Sequence, residues 1–198
     1  METEYIAHRV NTVEELLEIP KEFGVEIDIR DFNEDVIIQH DPFKKGNDLE
    51  EYLVLYEHQT LIFNIKSERV EHKVLELVKK YKIKNYFFLD STFPMINLMV
   101  NAGESNIAIR FSEFEGLDTI LNMAGKVKWV WVDCFTKLPI NRENYKILKE
   151  AGFKICLVSP ELQGRLEDIK PYKEYFKKES IVFDAICTKM YNVELWKS

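Results

Sequence analysis

A chain of 198 residues in which 46% are apolar and 31% are charged suits a single domain, residues 1–198, around one hydrophobic core, and these values exclude intrinsic disorder. The net charge of -7, with Lys and Arg scattered among Asp and Glu, argues against a nucleic-acid partner. No apolar run approaches the ~18 residues that a membrane span needs. The partner we expect is a small molecule, and nothing in the sequence indicates an oligomeric state.

Cysteine usage and the N-terminal residues indicate the compartment. Cys134, Cys156 and Cys187 each lie in an apolar run and none belongs to a CxxC pair, so we expect buried, reduced thiols. The first residues, METEYIAHR, contain no apolar stretch long enough for a signal peptide. We therefore expect a soluble, cytoplasmic protein.

The first half of the sequence alternates β-rich segments with helical ones. Thr12 and Glu15 form a capping box, which predicts that a helix begins there, and Gly24 is expected to end it. The other predicted helices span residues 48–56, 69–81 and 93–101. The predicted strands span residues 5–8, 25–31, 60–66 and 86–90, with residues 36–40 as an extension or hairpin partner of the second.

The second half continues this alternation. Its predicted strands span residues 107–111, 129–134, 154–159 and 181–188, and its predicted helices span residues 114–123, 142–151 and 166–178. The tail, residues 191–198, is too short for a full helix. Eight strands alternating with helices predict a parallel sheet, and eight is the number that closes a (β/α)8 TIM barrel. A doubly wound open sheet is the alternative, weakened because no Gly-rich phosphate loop follows the first strand.

Two carboxylates share one side of the second predicted strand. In Val25-Glu26-Ile27-Asp28-Ile29 the apolar residues face the helices, which places Glu26 and Asp28 inside the barrel. Buried carboxylates repel each other unless they are protonated or bound to a cation. Mg²⁺ or Ca²⁺, which take oxygen ligands, would satisfy the pair, and inward Lys or Arg side chains are the alternative.

Polar side chains collect at the carboxyl ends of nearly all the predicted strands, where barrel enzymes place their sites. They are His8, Arg9, His40, Asp41, Asn64, Lys66, Asp90, Arg110, Asp133, Thr188 and Lys189. His8 and His40 form a candidate acid–base couple, because imidazole titrates close to neutral pH. His58 and His72, on or beside predicted helices, are expected to be solvated or structural.

The order of these motifs resembles the glycerophosphodiester phosphodiesterase family. That family carries HR(G) on its first strand, ExD on its second, HD just after it and ExK on its third. The corresponding segments here are His8-Arg9, Glu26-Ile27-Asp28, His40-Asp41 and Asn64-Ile65-Lys66, and residues 183–188 resemble the family's last strand. The specific match covers residues 5–66 and this final strand, and the middle of the chain matches only in layout.

The resemblance implies a compact barrel of the phospholipase-C-like type that hydrolyses a small glycerophosphodiester-like substrate. It implies the following roles: general acid and base for His8 and His40, phosphate binding for Arg9 and Lys66, and a divalent metal, Mg²⁺ or Ca²⁺, on Glu26, Asp28 and, weakly, Asn64. In the family a neighbouring hydroxyl of the substrate attacks the phosphorus and an alcohol leaves. The metal would stabilise the charge that develops on the phosphate.

Three residues depart from the family pattern. Val10 stands where the family has Gly, and its side chain narrows the approach of a phosphate. Asn64 stands where the family has a Glu that completes the metal site, so metal affinity is expected to be weaker. Lys189 replaces an acidic residue often found after the Thr of the last strand. The segment after His40 is also short, which predicts an open site.

Two further readings compete with the metal-dependent phosphodiesterase. One is a catalytically impaired relative that binds a phosphorylated ligand or a protein partner, motivated by Val10 and Asn64. The other is a different barrel enzyme, such as an isomerase or lyase. Turnover that needs a metal would favour the first reading, and phosphate-ligand binding that survives chelation without hydrolysis would favour the impaired relative.

Overall fold

The computed structural model describes residues 2–197, which divide into two compact units. One unit spans Ala7–Gly103, and the other joins the described residues up to Ile6 with those from Glu104 onward. Strand β1 (Glu4–Ala7) ends at the boundary between the units.

The Ala7–Gly103 unit is built on a mixed sheet around a long strand. Its elements follow in chain order: α1 (Val13–Glu18), β2 (Gly24–Phe32), β3 (Asp35–Ile38), β4 (Asn47–Asp48), α2 (Leu49–Val54), β5 (Leu61–Ile65), α3 (Glu71–Lys80), β6 (Tyr86–Leu89) and α4 (Phe93–Asn101). Strand β2 pairs antiparallel with β3, which pairs with β4, and on its other edge β2 pairs parallel with β5. Strand β5 pairs parallel with β6. The register of β2 and β5 places Asp28 directly beside Asn64.

Local sequence accounts for the boundaries of the first elements. Helix α1 begins at the predicted capping box, in which the Thr12 side chain accepts from the Glu15 N–H and the Glu15 side chain accepts from the Thr12 N–H. The hairpin of β2 and β3 confirms the predicted hairpin partner of the second strand. Asp48 caps α2 by accepting a hydrogen bond of 2.9 Å from the Glu51 N–H.

The second unit contains a parallel run of strands. Its elements are β7 (Ala108–Phe111), α5 (Leu117–Leu121), β8 (Trp129–Val132), α6 (Arg142–Glu150), β9 (Lys154–Val158), α7 (Ile169–Glu179), β10 (Ala185–Thr188) and α8 (Val193–Lys197). Strands β7, β8, β9 and β10 pair parallel in that order, and β1 lies on the other edge of β10. The alternation of parallel strands with helices is the arrangement that the sequence predicts.

The core consists of apolar residues from the strands and from one side of each helix. Val25, Ile27 and Ile29 of β2 are fully buried, and so are the opposite residues Glu26 and Asp28. A strand buried on both faces is typical of a parallel sheet covered by helices. The three cysteines are buried free thiols, as the sequence predicts. Among residues 2–197, no helix has the length and apolar character needed to cross a membrane.

Gly24 does not end the first helix. Helix α1 stops at Glu18, because Ile19 adopts an extended backbone ahead of Pro20, and a residue before proline is disfavoured in the helical region. Gly24 is instead the first residue of β2.

The last predicted strand and the tail also differ from the prediction. Residues 181–184 are not in a strand, because Ser180 adopts a left-handed conformation and the Ile181 N–H donates to Phe176 O at the end of α7. The tail does form a helix, α8, whose Val193 and Trp196 are buried; Ser198 lies outside the described residues. The predicted helix at residues 114–123 is shorter, at Leu117–Leu121.

Candidate active site

The seven residues proposed from the sequence as site residues all lie in the Ala7–Gly103 unit. His8 and Arg9 follow β1, Glu26 and Asp28 lie in β2, His40 follows β3, and Asn64 and Lys66 lie in β5 and just beyond it. Parallel strands such as β2 and β5 bring their carboxyl ends to the same edge of a sheet. Hydrogen bonds and ion-pair contacts connect these residues into one cluster.

Glu26 is fully buried and is held by donors on both carboxylate oxygens. Its Oε1 accepts a hydrogen bond of 2.7 Å from Asn64 Nδ2, and its Oε2 accepts one of 2.8 Å from the backbone N–H of Arg9. His8 Nε2 lies 3.8 Å from the same Oε2. Burial and the nearby Asp28 raise the pKa of Glu26 to about 7, against the lowering effect of these hydrogen bonds.

Asp28 is equally buried and is surrounded by donors. Its Oδ2 accepts a hydrogen bond of 2.8 Å from Asn11 Nδ2 and lies 3.6 Å from Arg9 Nε. Its Oδ1 accepts no hydrogen bond within residues 2–197, and the ammonium nitrogen of Lys66 lies 3.5 Å from it. Two positively charged side chains therefore face this carboxylate.

His40 makes a hydrogen bond at each of its ring nitrogens, one with Asp41 and one with Arg9. Its Nδ1 lies 2.9 Å from Asp41 Oδ1, and its Nε2 lies 2.7 Å from Arg9 Nη2. A guanidinium can only donate, so Nε2 is the acceptor of that bond, and Nδ1 carries the proton that Asp41 accepts. His40 is therefore a neutral imidazole with its lone pair on Nε2. Hydrogen bonds from Lys44 and then His40 lower the pKa of Asp41 to about 2, which keeps it ionised.

Two cations line the cluster. Arg9 adopts a left-handed backbone conformation with φ of 57°, which non-glycine residues rarely adopt, and its side chain reaches both Asp28 and His40. The ammonium nitrogen of Lys66 lies 3.5 Å from Asp28 Oδ1, 3.5 Å from Asp90 Oδ2 and 2.6 Å from Asn64 Oδ1. Arg9 and Lys66 are thus two cations of this cluster that could bind a phosphate.

The three residues expected to hold a divalent ion come together but do not fit one. Among residues 2–197, no group of three or more His, Cys, Asp and Glu side chains is placed to hold a metal ion. Asn64 turns its NH₂ group, rather than its oxygen, toward Glu26. Arg9 and Lys66 already supply positive charge at Asp28. A resident Mg²⁺ or Ca²⁺ needs several oxygen ligands directed at it, and this arrangement supplies only the two carboxylates of Glu26 and Asp28, beside cations of the chain itself.

Asn11 is the site residue that sequence reasoning missed. Its side chain bridges Asp28 twice, since Nδ2 donates to Oδ2 at 2.8 Å and Oδ1 accepts from the Asp28 N–H at 3.0 Å. Asn47 in turn donates to the Asn11 carbonyl oxygen at 2.9 Å. The sequence carries no periodic signal for this contact, because Asn11 lies in the loop after Arg9.

Val10 occupies the position where the resemblance predicts Gly. Its side chain is buried, its N–H donates to Glu26 O at 2.9 Å, and its carbonyl oxygen accepts from the buried hydroxyl of Tyr52 at 2.9 Å. The residue therefore belongs to the core that supports the cluster. Of the other two histidines, His58 makes a hydrogen bond of 2.8 Å with the Ile19 carbonyl oxygen and His72 is exposed on α3.

The polar residues at the ends of the later strands lie in the other unit and make contacts there. They are Arg110, Asp133, Thr188 and Lys189. Arg110 pairs with Asp133, whose Oδ1 also accepts from Gln163 at 3.0 Å. The Thr188 hydroxyl donates to Glu161, and the backbone N–H of Lys189 donates to the same carboxylate at 3.2 Å.

Comparisons with known proteins support the fold. The sequence matches no protein-family model and no curated protein. Among solved structures, the chain is similar to a protein from Agrobacterium tumefaciens assigned as a glycerophosphoryl diester phosphodiesterase, with 13% identity and a TM-score of 0.71 over 100% of this chain and 98% of that one. A glycerophosphodiester phosphodiesterase from the same organism has 13% identity and a TM-score of 0.66, with 100% of both chains covered.

A third solved structure shows the same likeness. A protein from Silicibacter pomeroyi, also assigned as a glycerophosphoryl diester phosphodiesterase, has 12% identity and a TM-score of 0.64, and the match covers 94% of this chain and 89% of that one. At such identities the likeness establishes the fold. The chain has the α/β fold of these proteins, which is the (β/α)8 TIM-barrel class that the alternation of strands and helices predicts.

Proposed function

We propose that the cluster around Glu26 and Asp28 hydrolyses small phosphodiesters of the glycerophosphodiester type, with His8 and His40 as the acid–base couple. The observation that carries the proposal is the state of His40, a neutral imidazole whose Nδ1 proton is held by Asp41 and whose Nε2 lone pair faces Arg9. A base of this kind, beside a cation that could bind phosphate, is what proton transfer at a phosphodiester requires. The names of the solved structures that share the fold support the same reaction class.

In the proposed reaction Arg9 and Lys66 bind the non-bridging oxygens of the phosphate. Arg9 is half exposed, so its guanidinium can turn from His40 to the substrate and free the lone pair on Nε2. His40 then takes the proton of the attacking hydroxyl group of the substrate as the new P–O bond forms. The two cations offset the negative charge that builds up on the phosphate oxygens.

His8 is proposed to protonate the alcohol that leaves when the old P–O bond breaks. Its Nε2 lies 3.8 Å from Glu26 Oε2, which places the imidazole ring beside the buried acid of the cluster. Water then opens the resulting cyclic phosphate with the two histidines in exchanged roles. No step of this reaction depends on a metal ion, because Glu26, Asp28 and Asn64 do not fit a divalent ion.

A second candidate is a catalytically impaired relative that binds a phosphorylated ligand or a partner. The contact between Arg9 and His40 favours it, because an Nε2 lone pair held by a guanidinium cannot act as a base until that contact breaks. Such a protein would bind phosphate through Arg9 and Lys66 without turnover.

Hydrolysis assays separate the two candidates. Glycerophosphodiesters would be incubated with the wild type, His8→Ala and His40→Ala, each with Mg²⁺, Ca²⁺, Mn²⁺ or EDTA. We expect each substitution to lower turnover by about 10²–10⁴-fold. His72→Ala, which changes an exposed histidine on α3, is the matched control and should keep full activity.

A second substrate tests how the phosphorus is attacked. Bis-p-nitrophenyl phosphate has no neighbouring hydroxyl group, so it reports attack by water alone. Because p-nitrophenolate leaves without being protonated, its turnover should depend less on the proposed acid His8 than turnover of a glycerophosphodiester does. Absence of turnover from folded protein in all these conditions, together with saturable binding of glycerol phosphate, would contradict the proposed reaction and favour the binding protein.

A further inference from the structure

We propose that Lys66 is the resident cation of the Glu26–Asp28 pair and that Asn64 adapts the site to it, so that the carboxylates need no divalent metal. The proposal concerns the same cluster as the proposed phosphodiesterase site. Its test measures ion binding instead of hydrolysis, so the failure of one does not imply the failure of the other.

Two hydrogen bonds fix the orientation of the Asn64 side-chain amide. An ammonium group has only donors, so the contact of 2.6 Å between Lys66 Nζ and Asn64 Oδ1 fixes the amide oxygen on the lysine side. The NH₂ group must then point the other way, where it donates to Glu26 Oε1 at 2.7 Å. Asn64 therefore meets the carboxylate pair as a hydrogen-bond donor, whereas a metal ligand has to be an acceptor.

The opposite orientation of the Asn64 amide is strongly disfavoured. Turning the amide over would place NH₂ against the ammonium of Lys66, so that two donors would face each other. It would also place the amide oxygen against Glu26 Oε1, so that two acceptors would meet. Both hydrogen bonds would be lost in a site where Asn64 and Glu26 are buried, and unpaired buried polar groups are costly.

The positive charges of Lys66 and Arg9 disfavour a further cation at the carboxylate pair. Asp28 has Lys66 Nζ 3.5 Å from Oδ1 and Arg9 Nε 3.6 Å from Oδ2, so two cations already face this carboxylate of the pair. A divalent ion placed between the carboxylates would be repelled by both cations. Lys66 is itself held by Asp90 Oδ2 at 3.5 Å, and its side chain is 18% exposed, so it is tied to this position.

Ion binding to the full chain tests the proposal. Isothermal titration calorimetry with Mg²⁺, Ca²⁺ and Mn²⁺ should detect no saturable site in the wild type below about 1 mM. Asn64→Glu removes the donor and adds a third carboxylate, and it should create a site that binds Ca²⁺ at least about 100-fold more tightly, because ligand charge sets calcium affinity. Asn101→Glu, at the exposed end of α4, is the control and should create none.

A second variant keeps the test decisive if Asn64→Glu does not fold. Lys66→Met retains the length of the side chain and removes its charge, which frees Asn64 to turn its oxygen toward the pair. We expect metal binding to appear in this variant, with a rise in melting temperature on addition of Ca²⁺ that the wild type lacks. Submillimolar metal binding by the wild type that is lost in Asp28→Asn would overturn the proposal, as would failure of both folded variants to gain a site.

Discussion

The ammonium nitrogen of Lys66 lies 2.6 Å from the side-chain oxygen of Asn64, and this hydrogen bond decides what Asn64 offers to its neighbours. The amide presents its NH₂ group to Glu26, where the resemblance to the phosphodiesterase family predicts a third negative charge. The pair Glu26 and Asp28 is consequently matched by cations from the chain itself. A change of one carboxylate to one amide thus alters the charge of the whole cluster.

The buried carboxyl group of Glu26 should make the stability of the protein depend on pH. Its pKa rises from 4.5 in the unfolded chain to about 7, mainly because of burial and then because of Asp28. Between these values the unfolded chain has lost the proton and the folded chain keeps it, so the free energy of unfolding falls as the pH rises. At about 1.4 kcal/mol for each pH unit, the fall reaches at most about 3 kcal/mol and levels off above pH 7.

Urea unfolding between pH 5 and pH 8 checks this prediction. Glu26→Gln removes the titrating group, so its free energy of unfolding should vary with pH less than that of the wild type across the same range. Glu22→Gln, at an exposed position before β2, should leave the wild-type dependence unchanged. A wild type that becomes more stable from pH 5 to pH 7 would contradict the predicted role of Glu26.

Asn11 is predicted to stabilise the site as well as to shape it. Asn11→Ala removes both hydrogen bonds between the Asn11 side chain and Asp28. The backbone N–H and the Oδ2 atom of the buried Asp28 then lose this partner. We expect a loss of about 2–4 kcal/mol in the free energy of unfolding. Asn101→Ala, at the exposed end of α4, should change stability by less than about 0.5 kcal/mol. Equal, small effects of the two changes would show that Asn11 contributes little.

The sequence predicted those parts of the site that depend on strand periodicity. Glu26 and Asp28 share one side of β2 and are buried, as the alternation of residues 25–29 predicts. Lys66, the residue just beyond β5, reaches the side of the sheet on which Asn64 lies, as their hydrogen bond of 2.6 Å shows. Side chains two residues apart on a strand lie on the same face, and this rule needs no knowledge of the rest of the fold.

The parts that could not be predicted depend on how loops meet strands. Asn11 lies in a loop whose path follows from the left-handed backbone of Arg9, and no periodicity reports such a conformation. The orientation of the Asn64 amide depends on where Lys66 Nζ ends, which is a tertiary contact. The sequence therefore indicated which charges are present near the pair, and the structure was needed to learn which of them touch.

Tyr52 is predicted to support the loop that carries His8 and Arg9. Its buried hydroxyl donates to Val10 O at 2.9 Å, so Tyr52→Phe leaves that carbonyl oxygen without this donor. We expect the free energy of unfolding to fall by about 1–2 kcal/mol. Tyr191→Phe removes the same hydroxyl from a side chain that is 81% exposed and should have no measurable effect. Thermal unfolding followed by circular dichroism measures both.

Asp41 is predicted to position His40 for the proposed reaction. Asp41 accepts the Nδ1 proton of His40, which leaves the lone pair on Nε2 for the proposed reaction. Asp41→Ala removes this preference between the two tautomers, so kcat should fall while KM stays nearly constant. We expect a fall of about 10- to 100-fold, smaller than the ~10⁴-fold known for a buried acid–histidine pair, because the Asp41 side chain is half exposed.

Lys44→Ala provides the matched control for this change. Lys44 donates to Asp41 Oδ2 at 2.7 Å, on the oxygen that does not face His40, so its loss leaves the tautomer in place. Its kcat should therefore stay close to that of the wild type, while the pKa of Asp41 rises because Lys44 is the main cause of its low value. Steady-state kinetics give the first result and NMR titration of the Asp41 carboxyl carbon gives the second. Equal losses of kcat in Asp41→Ala and Lys44→Ala would mean that Asp41 acts through the loop conformation and not through the imidazole.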